Sequence, residues 1–521
     1  MKHTNPVAAD LAGGARFPFT LPGVVLIVAI YALVHATTRL LASGNLGEDD
    51  TLDNLLIQTL SPGYSTHTGP LYDWLLWLLQ QAFGTGLAPF LALKYTLLVV
   101  MAGGLFLITR RLSGSALWAF IAVESMATVY QIFWRFHEGF THRVGAMALV
   151  IATLLLFLRL LDNGNWRHYL AFGVLAGLGL LSEHTYAFFL IALLAAASLQ
   201  PDLRRRTWRA PILASLPPVV LITAPYVLWL LAEPSRLSAL VAEYYPPTPV
   251  HSWAALWASL RDAITFPLLV LAPYSVIVPL VFPALFKSIF KPPARRPGPA
   301  VPADLSRLLT HLLLIEFCGL IVGNLLYARA GYAVHSILPI FVVAIVWLTE
   351  KARQTNPEPR RIKLFMLILL AFTMTAYAMR WSNLFIEEPF CSRCRWGIPY
   401  NDLADNLRRL GFSDGTLVSN DERMSGNLRR FFPQARFILS TGAPIMTAER
   451  SQQGGKLAAV WSVSSEHETM PGDLQHYLGS GAAALQPVVI RSPWQHLWRP
   501  TGYRNSSWAV VVTEWPVSAK P

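Results

Sequence analysis

The chain has 521 residues, of which 54% are hydrophobic and only 14% are charged, and its formal net charge is +12. Soluble globular proteins carry about 25% charged residues, so this composition excludes an ordinary soluble domain and indicates a core solvated by lipid. The positive charges lie in short loops between long apolar runs. This placement argues against nucleic-acid binding and is typical of a protein that crosses a membrane several times.

Apolar segments recur along the first 381 residues. A helix needs about 20 apolar residues to cross the hydrocarbon core of a bilayer. Eleven candidate spans lie at residues 21–42, 86–109, 114–134, 143–161, 168–183, 185–199, 210–232, 264–288, 307–328, 333–349 and 363–381. The two segments on either side of Glu183 are short for a crossing. The sequence therefore predicts a mainly α fold, a polytopic transmembrane helical bundle of about 11 spans.

Lysine and arginine in the loops predict the orientation, because cytoplasmic loops are enriched in them. With the N-terminus in the cytoplasm, the loops on that side hold twenty of these residues and the opposite loops hold six. The six are Arg39, Arg135, Arg143, Arg236, Arg261 and Arg329. The first span shows no clear small-residue cleavage site, and we interpret it as a retained helix. The C-terminal region is then expected outside the cytoplasm.

Two regions interrupt the membrane pattern on the outer side. The loop 43–85 contains an apolar stretch at 71–83 that is too short to span, so we predict a helix lying at the membrane interface. Residues 382–521 alternate between helical and strand periodicity, which favours an α/β domain. We therefore predict a transmembrane domain over 1–381 and a C-terminal periplasmic α/β domain over 382–521.

The outer loop 43–85 also carries polar residues suited to chemistry. Glu48, Asp49, Asp50 and Asp53 follow directly on the first span. Carboxylates beside apolar surface can act as bases or can orient a substrate hydroxyl. The alternative is a solvated loop whose acids stabilise a helix N-terminus.

Further along the same loop, Pro70 and Gly69 predict a rigid turn before the interfacial helix. Tyr64, His67 and Tyr72 are expected to face one outer cavity. Aromatic residues at a membrane interface also serve as plain anchors, and this alternative stays open.

Lys94 lies inside the second span, where a charged group is costly. Three explanations are open. The side chain reaches the outer surface, it pairs with Glu124 of the third span, or it binds an anionic ligand such as a lipid phosphate.

The short outer loop after the third span contains His137, Glu138, His142 and Arg143. His137 and His142 are five residues apart, and not the four of a helical metal-binding pair. We therefore expect no metal ion here, and we interpret the cluster as the polar lining of a substrate cavity.

Other polar residues flank later spans. Glu183 lies between two short apolar runs and is expected either to face a cavity or to mark a turn. Arg329 and His335 flank the tenth span, where a cation can hold a phosphate or can anchor the helix. Cys391 and Cys394 are a candidate disulfide on the outer side.

Taken in order, these segments resemble the C-type glycosyltransferases, membrane enzymes that use a polyprenyl-phosphate sugar as donor. The likeness is greatest to the bacterial galacturonosyltransferases that modify lipid A and its core, and it extends to aminoarabinose transferase and the protein O-mannosyltransferases. The matching residues are Asp49-Asp50, Gln58, Gly63-Tyr64, Gly69 through Trp74, Phe83-Gly84, Leu93-Lys94, Thr141-His142, Gly177 through Ser182, Cys391 and Cys394, Ser425 through Arg429, and Phe432-Pro433. Two residues depart from the family pattern: Glu183 stands in place of a lysine and Gly69 in place of a proline.

The resemblance implies an inverting glycosyltransferase in the bacterial inner membrane, with its active site on the periplasmic face. Its partners would be a polyprenyl-phosphate-linked sugar donor, a lipid-anchored or glycan acceptor such as lipid A or its core, and membrane lipids. No cofactor, metal or nucleotide is expected. Asp49 and Asp50 are the catalytic candidates, with Lys94 and then Arg329 beside the phosphate. The other substrate-binding candidates are Glu48, Asp53, Tyr64, His67, Tyr72, His137, Glu138, His142, Arg143, Glu183 and His335.

A membrane transporter or lipid flippase is the rival interpretation, because it also explains charges within a membrane bundle. It does not explain a large outer α/β domain or an acidic outer loop. A receptor or assembly scaffold is a third class, for which the outer domain would be the functional part.

Overall fold

The computed structural model describes residues 17–139, 141–162, 164–244, 252–286, 301–327, 341–388, 390–391, 394–440, 455–463, 469–478, 485–497 and 503–514. Most of the described chain is helical. In chain order the α-helices are Leu21–Ala42, Glu48–Leu56, Leu71–Phe83, Leu87–Ser113, Ala116–Ser125, Phe136–Glu138, His142–Asp162, Trp166–Ser182, Tyr186–Ser198, Pro201–Thr207, Leu216–Ala232, Pro234–Tyr244, Trp253–Val270, Ala272–Val281, Val301–Tyr327, Phe341–Gln354, Pro359–Ser382, Tyr400–Arg409, Glu422–Leu428 and Gly472–Leu478. The predicted mainly α membrane fold is confirmed.

Every predicted span overlaps a helix, although not all of these helices are long enough to cross a bilayer. Among the described residues, six helices are long and apolar enough to cross a membrane. The number rises to eight spans if each of two bent helix pairs is counted as one span. Trp166–Ser182, Tyr186–Ser198 and Phe341–Gln354 have 17, 13 and 14 residues and are too short to count. The last of these begins beside residues 328–340, which lie outside the described residues. The total of about eleven membrane spans therefore stays a prediction.

The predicted span 114–134 is not a straight helix. The segments Ala116–Thr128 and Gln131–Glu138 meet at an angle of 70°. A 3₁₀ turn at Met126–Thr128 and a π turn at Gln131–Arg135 interrupt the regular hydrogen bonds between them, and such interruptions bend helices. The bend carries Arg135 and Glu138 toward the helix that holds the acidic cluster.

The helix predicted at 71–83 has those same bounds in the structure. The helix Glu48–Leu56, here called the acid helix, precedes it in the same loop. Its first turn holds Glu48, Asp49 and Asp50, and negative charges there are stabilised by the helix dipole. Gly47 precedes the helix, where a Cβ atom would overlap the Glu138 carbonyl oxygen. Only glycine therefore fits at this crossing of the two loops.

The C-terminal sheet region, residues 394–514, contains five strands. They are β1 Gly415–Ser419, β2 Arg436–Leu439, β3 Lys456–Ser462, β4 Val488–Pro493 and β5 Asn505–Glu514, in the order β2-β1-β3-β5-β4. β1 is parallel to β2 and β3, whereas β5 is antiparallel to β3 and β4. Successive residues of β1 enter different apolar cores, Leu417 on one side and Val418 on the other. The predicted α/β character is confirmed, and the boundary between residues 381 and 382 stays a prediction.

Candidate active site

The acid helix is fixed from one side by the C-terminal sheet region. The buried guanidinium of Arg429 donates hydrogen bonds to the Asn54 carbonyl oxygen and, at 3.1 Å, to that of Ile57. These are carbonyls at the end of the acid helix, where intrahelical partners are lacking. A cation at this end also suits the helix dipole.

Two further contacts join the same surfaces. The Gln58 side chain donates to the Phe437 carbonyl oxygen at 3.0 Å and accepts from the Phe437 amide at 2.8 Å. Because Phe437 lies in β2, an edge strand, this amide pair occupies hydrogen-bonding groups that a neighbouring strand would otherwise fill. Gly426 lies so close to Thr51 that a Cβ atom would overlap its carbonyl oxygen. The family-like residues Gln58, Gly426 and Arg429 therefore hold the acid helix in place.

The other side of the acid helix faces a cavity of about 660 Å³, here called the acid cavity. Five segments separated in sequence contribute to it. Its lining residues are Glu48, Asp49, Leu52, Asp53, Leu56, Ser65, His67, Thr68, Arg135, Thr141, His142, Arg143, Glu183, Glu422 and Arg423. Loops predicted to lie on one side of the membrane thus meet at this cavity.

Asp49 and Asp50 have different environments. Asp49 is half-buried and lines the cavity, and burial together with Asp53 and Asp50 raises the pKa of its carboxyl to about 6. Asp50 is only 3% exposed and is not among the lining residues. Its pKa is raised by burial, against the opposing effect of Lys94. Asp49 is thus the carboxylate that an incoming hydroxyl could reach.

Lys94 has a partner that the sequence analysis does not foresee. Its Nζ lies 2.5 Å from Asp50 Oδ1, and both side chains are buried. Neither Glu124 nor a lipid phosphate is needed to balance this ammonium. The pair also fixes the acid helix against the span Leu87–Ser113.

Cationic groups are present in the acid cavity despite the engagement of Lys94. Arg143 and Arg423 both line it. Arg135 also lines it and forms an ion pair with Glu48 at 2.8 Å. A guanidinium provides several donors for a phosphate or a carboxylate. The cavity therefore combines a carboxylate of raised pKa with groups that suit an anion.

A second cluster lies at the wall of the acid cavity. His142 Nε2 is 3.3 Å from Asp53 Oδ1 and 3.6 Å from Asp73 Oδ1. All three residues are buried. Asp73 comes from the helix Leu71–Phe83 and His142 from the first residue of the helix His142–Asp162, so that tertiary structure alone brings them together.

Comparison with known proteins indicates the class of membrane protein to which this chain is similar. Residues 67–229 match the family model described as dolichyl-phosphate-mannose-protein mannosyltransferase. The lipopolysaccharide core galacturonosyltransferase RgtA of Rhizobium johnstonii is 21% identical over 478 residues, which cover 89% of this chain and 92% of RgtA. The crystal structure of ArnT from Cupriavidus metallidurans bound to undecaprenyl phosphate matches with a TM-score of 0.60 at 14% identity. That match covers 93% of this chain and 97% of ArnT, and it establishes a shared fold.

These three matches support a C-type membrane glycosyltransferase. The recognition made from the ordered motifs is confirmed, although each motif taken singly is short.

Several residues predicted to line the transferase cavity do not do so. The Tyr64 hydroxyl donates to the Thr59 carbonyl oxygen at 2.9 Å and thereby closes its own loop. Tyr72 is 1% exposed and lies behind the cavity wall. His137 is buried between the hydroxyls of Tyr31 and Tyr95, at 2.9 and 2.8 Å. All three side chains are buried, and none of them is among the residues that line the acid cavity.

Glu138 belongs to a neighbouring cavity of about 530 Å³. Its carboxylate is 3.1 Å from the buried Arg380 guanidinium. Cys391 and Cys394, joined by a disulfide, line the same space. Arg329 and His335 lie outside the described residues.

Sequence reasoning missed three charged contributors to the acid cavity. Glu422 and Arg423 come from the C-terminal sheet region, and Arg135 comes from the bent segment. The first two lie three and two residues before Ser425, where the family-like run that docks on the acid helix begins. Proximity to that run is a signal that could have identified them.

Proposed function

We propose that this glycosyltransferase moves one sugar, with inversion at its anomeric carbon, from a polyprenyl-phosphate carrier to a hydroxyl of a cell-envelope glycan. The acceptor class would be lipid A, its core or a related glycan on the periplasmic face of the bacterial inner membrane. The observation that carries the proposal is the position of Asp49, half-buried in the acid cavity with arginines on the same lining.

The reaction follows from these groups. The Asp49 carboxylate accepts the proton of the acceptor hydroxyl, and the hydroxyl oxygen attacks the anomeric carbon from the side opposite the phosphate. The bond between this carbon and the phosphate oxygen breaks, and the lipid phosphate leaves with the electron pair. General base catalysis of this kind contributes about 10² to 10⁴-fold to a rate.

The leaving phosphate needs cations, because charge develops on its oxygen as the bond breaks. We assign this role to Arg143 and Arg423 rather than to Lys94, since Asp50 already occupies Lys94. RgtA is described as a lipopolysaccharide core galacturonosyltransferase, and the ArnT structure contains undecaprenyl phosphate. Both descriptions support a polyprenyl-linked donor and a glycan acceptor.

The test is sugar transfer by the purified protein in detergent with an undecaprenyl-phosphate sugar and a lipopolysaccharide acceptor. The expected result is a new glycosidic product with wild type and none with Asp49→Asn. Comparing the masses of lipid A and core from wild-type and deletion cells identifies the acceptor. No mass difference together with no transfer in vitro from several prenyl-phosphate sugars would exclude the proposal.

The periplasmic assignment has its own test. The excess of basic residues in the loops assigned to the cytoplasm supports an outer location for the C-terminal sheet region. A reporter that is active only outside the cytoplasm, fused after Arg380, should be active. A cytoplasmic signal at that position would reverse the assigned face and leave the class of reaction unchanged.

A further inference from the structure

The cluster of Asp53, Asp73 and His142 has the geometry of a ligand set. One oxygen or nitrogen from each residue can be chosen so that all three lie within 4.8 Å of one another. Two ligands about 2.1 Å from a tetrahedral metal ion are about 3.4 Å apart. The separations from His142 Nε2 to the two carboxylate oxygens are 3.3 and 3.6 Å. They are longer than a charged hydrogen bond between a nitrogen and a carboxylate, which is about 2.8 Å.

Polar atoms around the cluster also lack partners. Within the part of the chain that the structure describes, Asp53 Oδ2, Asp73 Oδ1 and the Tyr72 hydroxyl have no hydrogen-bond partner. Asp53, Asp73 and Tyr72 are 3%, 1% and 1% exposed. The Tyr72 ring lies 5.3 Å from the His142 ring. Buried polar groups normally have partners, and exceptions point to an absent ion or water.

The charge of the cluster also favours a bound cation. Two buried carboxylates beside one imidazole leave negative charge in a site with little solvent, and buried charge is costly unless it is paired or coordinates a metal. A divalent cation would balance both carboxylates and take the neutral imidazole as its third ligand. The competing explanation is a doubly protonated His142 that donates toward the two carboxylates.

We propose that Asp53, Asp73 and His142 bind one divalent transition-metal cation, with an open coordination position toward the acid cavity. Asp53 and His142 line this cavity, so a further ligand can approach from it. Two carboxylates and one imidazole suit Zn²⁺ or Mn²⁺. The open position lies beside the space assigned to the donor phosphate, and only this last role rests on the proposed function.

The experiment measures ion binding without sugar transfer. Tag-free protein in detergent is stripped with a chelator, dialysed against Zn²⁺ or Mn²⁺ in separate samples, and measured by elemental analysis and thermal unfolding. We expect one ion per chain and a higher melting temperature with the ion, because a ligand that binds only the folded state stabilises it. Asp73→Asn and His142→Gln should each lose the ion and the shift.

Asp49→Asn is the matched control, since it makes the same chemical change one turn before Asp53 in the same cavity. It should keep both the ion and the shift. A stripped wild type that takes up neither ion overturns the proposal. So does an Asp73→Asn protein that elutes as a single species and still binds one ion. If Asp73→Asn does not fold, His142→Gln gives the decision on the same criteria. Ion binding by a wild type that transfers no sugar would remove the proposed function and leave this site in place.

Discussion

The two faces of the acid helix have opposite characters. Toward the C-terminal sheet region its polar groups have partners. The Asn54 amide donates to the Gly426 carbonyl oxygen at 2.8 Å, and Arg429 donates to the carbonyls of Asn54 and Ile57. Toward the acid cavity, Asp49 has a raised pKa and, among the described residues, Asp53 Oδ2 has no hydrogen-bond partner.

The nine residues of the acid helix thus form one face that docks on the C-terminal sheet region, called the docked face, and one face that lines the acid cavity, called the cavity face. Polar groups whose hydrogen bonds are all satisfied hold the helix in one position. A carboxylate that lies near solvent and near other acids can exchange a proton or accept a ligand. The docked face therefore holds the helix so that the cavity face can carry groups that would be unfavourable alone. A substitution on one face therefore tests whether the other face responds.

The largest expected effect is on the cavity face. Asp49→Asn should lower the rate of sugar transfer by about 10² to 10⁴-fold, because an amide cannot accept the proton of the acceptor hydroxyl. The melting temperature should stay close to that of wild type, since Asp49 is half-buried and lines the cavity. Transfer assays and thermal unfolding on the same preparation check this.

Glu48→Gln is the control for Asp49→Asn, because Glu48 is the neighbouring carboxylate and is paired with Arg135. It should retain most of the transfer rate. An active Asp49→Asn enzyme would take the base role away from Asp49. Activity that disappears only in Asp50→Asn would move that role by one residue.

The second prediction concerns the ion pair beneath the helix. Lys94→Met should destabilise the protein by about 3–5 kcal/mol, because it leaves the Asp50 carboxylate buried without its cation. The double variant Lys94→Met with Asp50→Asn should regain much of the lost melting temperature. A Lys94→Met protein that melts like wild type but binds the donor weakly would return Lys94 to the phosphate role.

The third prediction acts on the docked face. Gly426→Ala places a Cβ atom against the Thr51 carbonyl oxygen, and overpacking of this kind costs about 1–3 kcal/mol. Gly472→Ala is the control, because no heavy atom lies within 4 Å of its added Cβ, and it should change stability by less than about 0.5 kcal/mol. Melting temperatures test this pair of variants.

The same pair also tests coupling between the faces. If the docked face positions the cavity face, Gly426→Ala should lower the transfer rate while Gly472→Ala leaves it unchanged. Equal rates in a Gly426→Ala protein of lowered melting temperature would show that the faces act independently.

The smallest effect is on pH dependence. With an Asp49 pKa of about 6, the ionised base is depleted below that pH, and transfer should fall about tenfold per pH unit. Asp50 and Asp53 raise this pKa, whereas Lys94 and Arg143 lower it. Arg143→Gln should therefore move the midpoint of the rate profile to higher pH. A profile that is flat between pH 5 and 7 in wild type would exclude a base with this pKa.

Local pattern was sufficient to predict much of the fold. The helix Leu71–Phe83 has its predicted bounds, and all five strands lie within the region 382–521 that was predicted to contain strands. Apolar runs and the alternation of side chains are local properties, so periodicity reveals them. The bend of 70° after Thr128 escaped prediction because the two segments that it joins are together apolar enough to be taken for one span.

Residues close together along the chain were enough to predict the membrane class, the helices, the sheet region and the acidic cluster, because each of these features depends on neighbours in sequence. Tertiary structure decided which charges meet. Lys94 pairs with Asp50 from 44 residues away, and Arg429 reaches Asn54 across 375 residues. A buried charge takes whichever partner the fold brings within about 4 Å, and no local pattern records that choice. The environments of Asp49, Asp53 and Lys94 are therefore distinguished only in the folded chain.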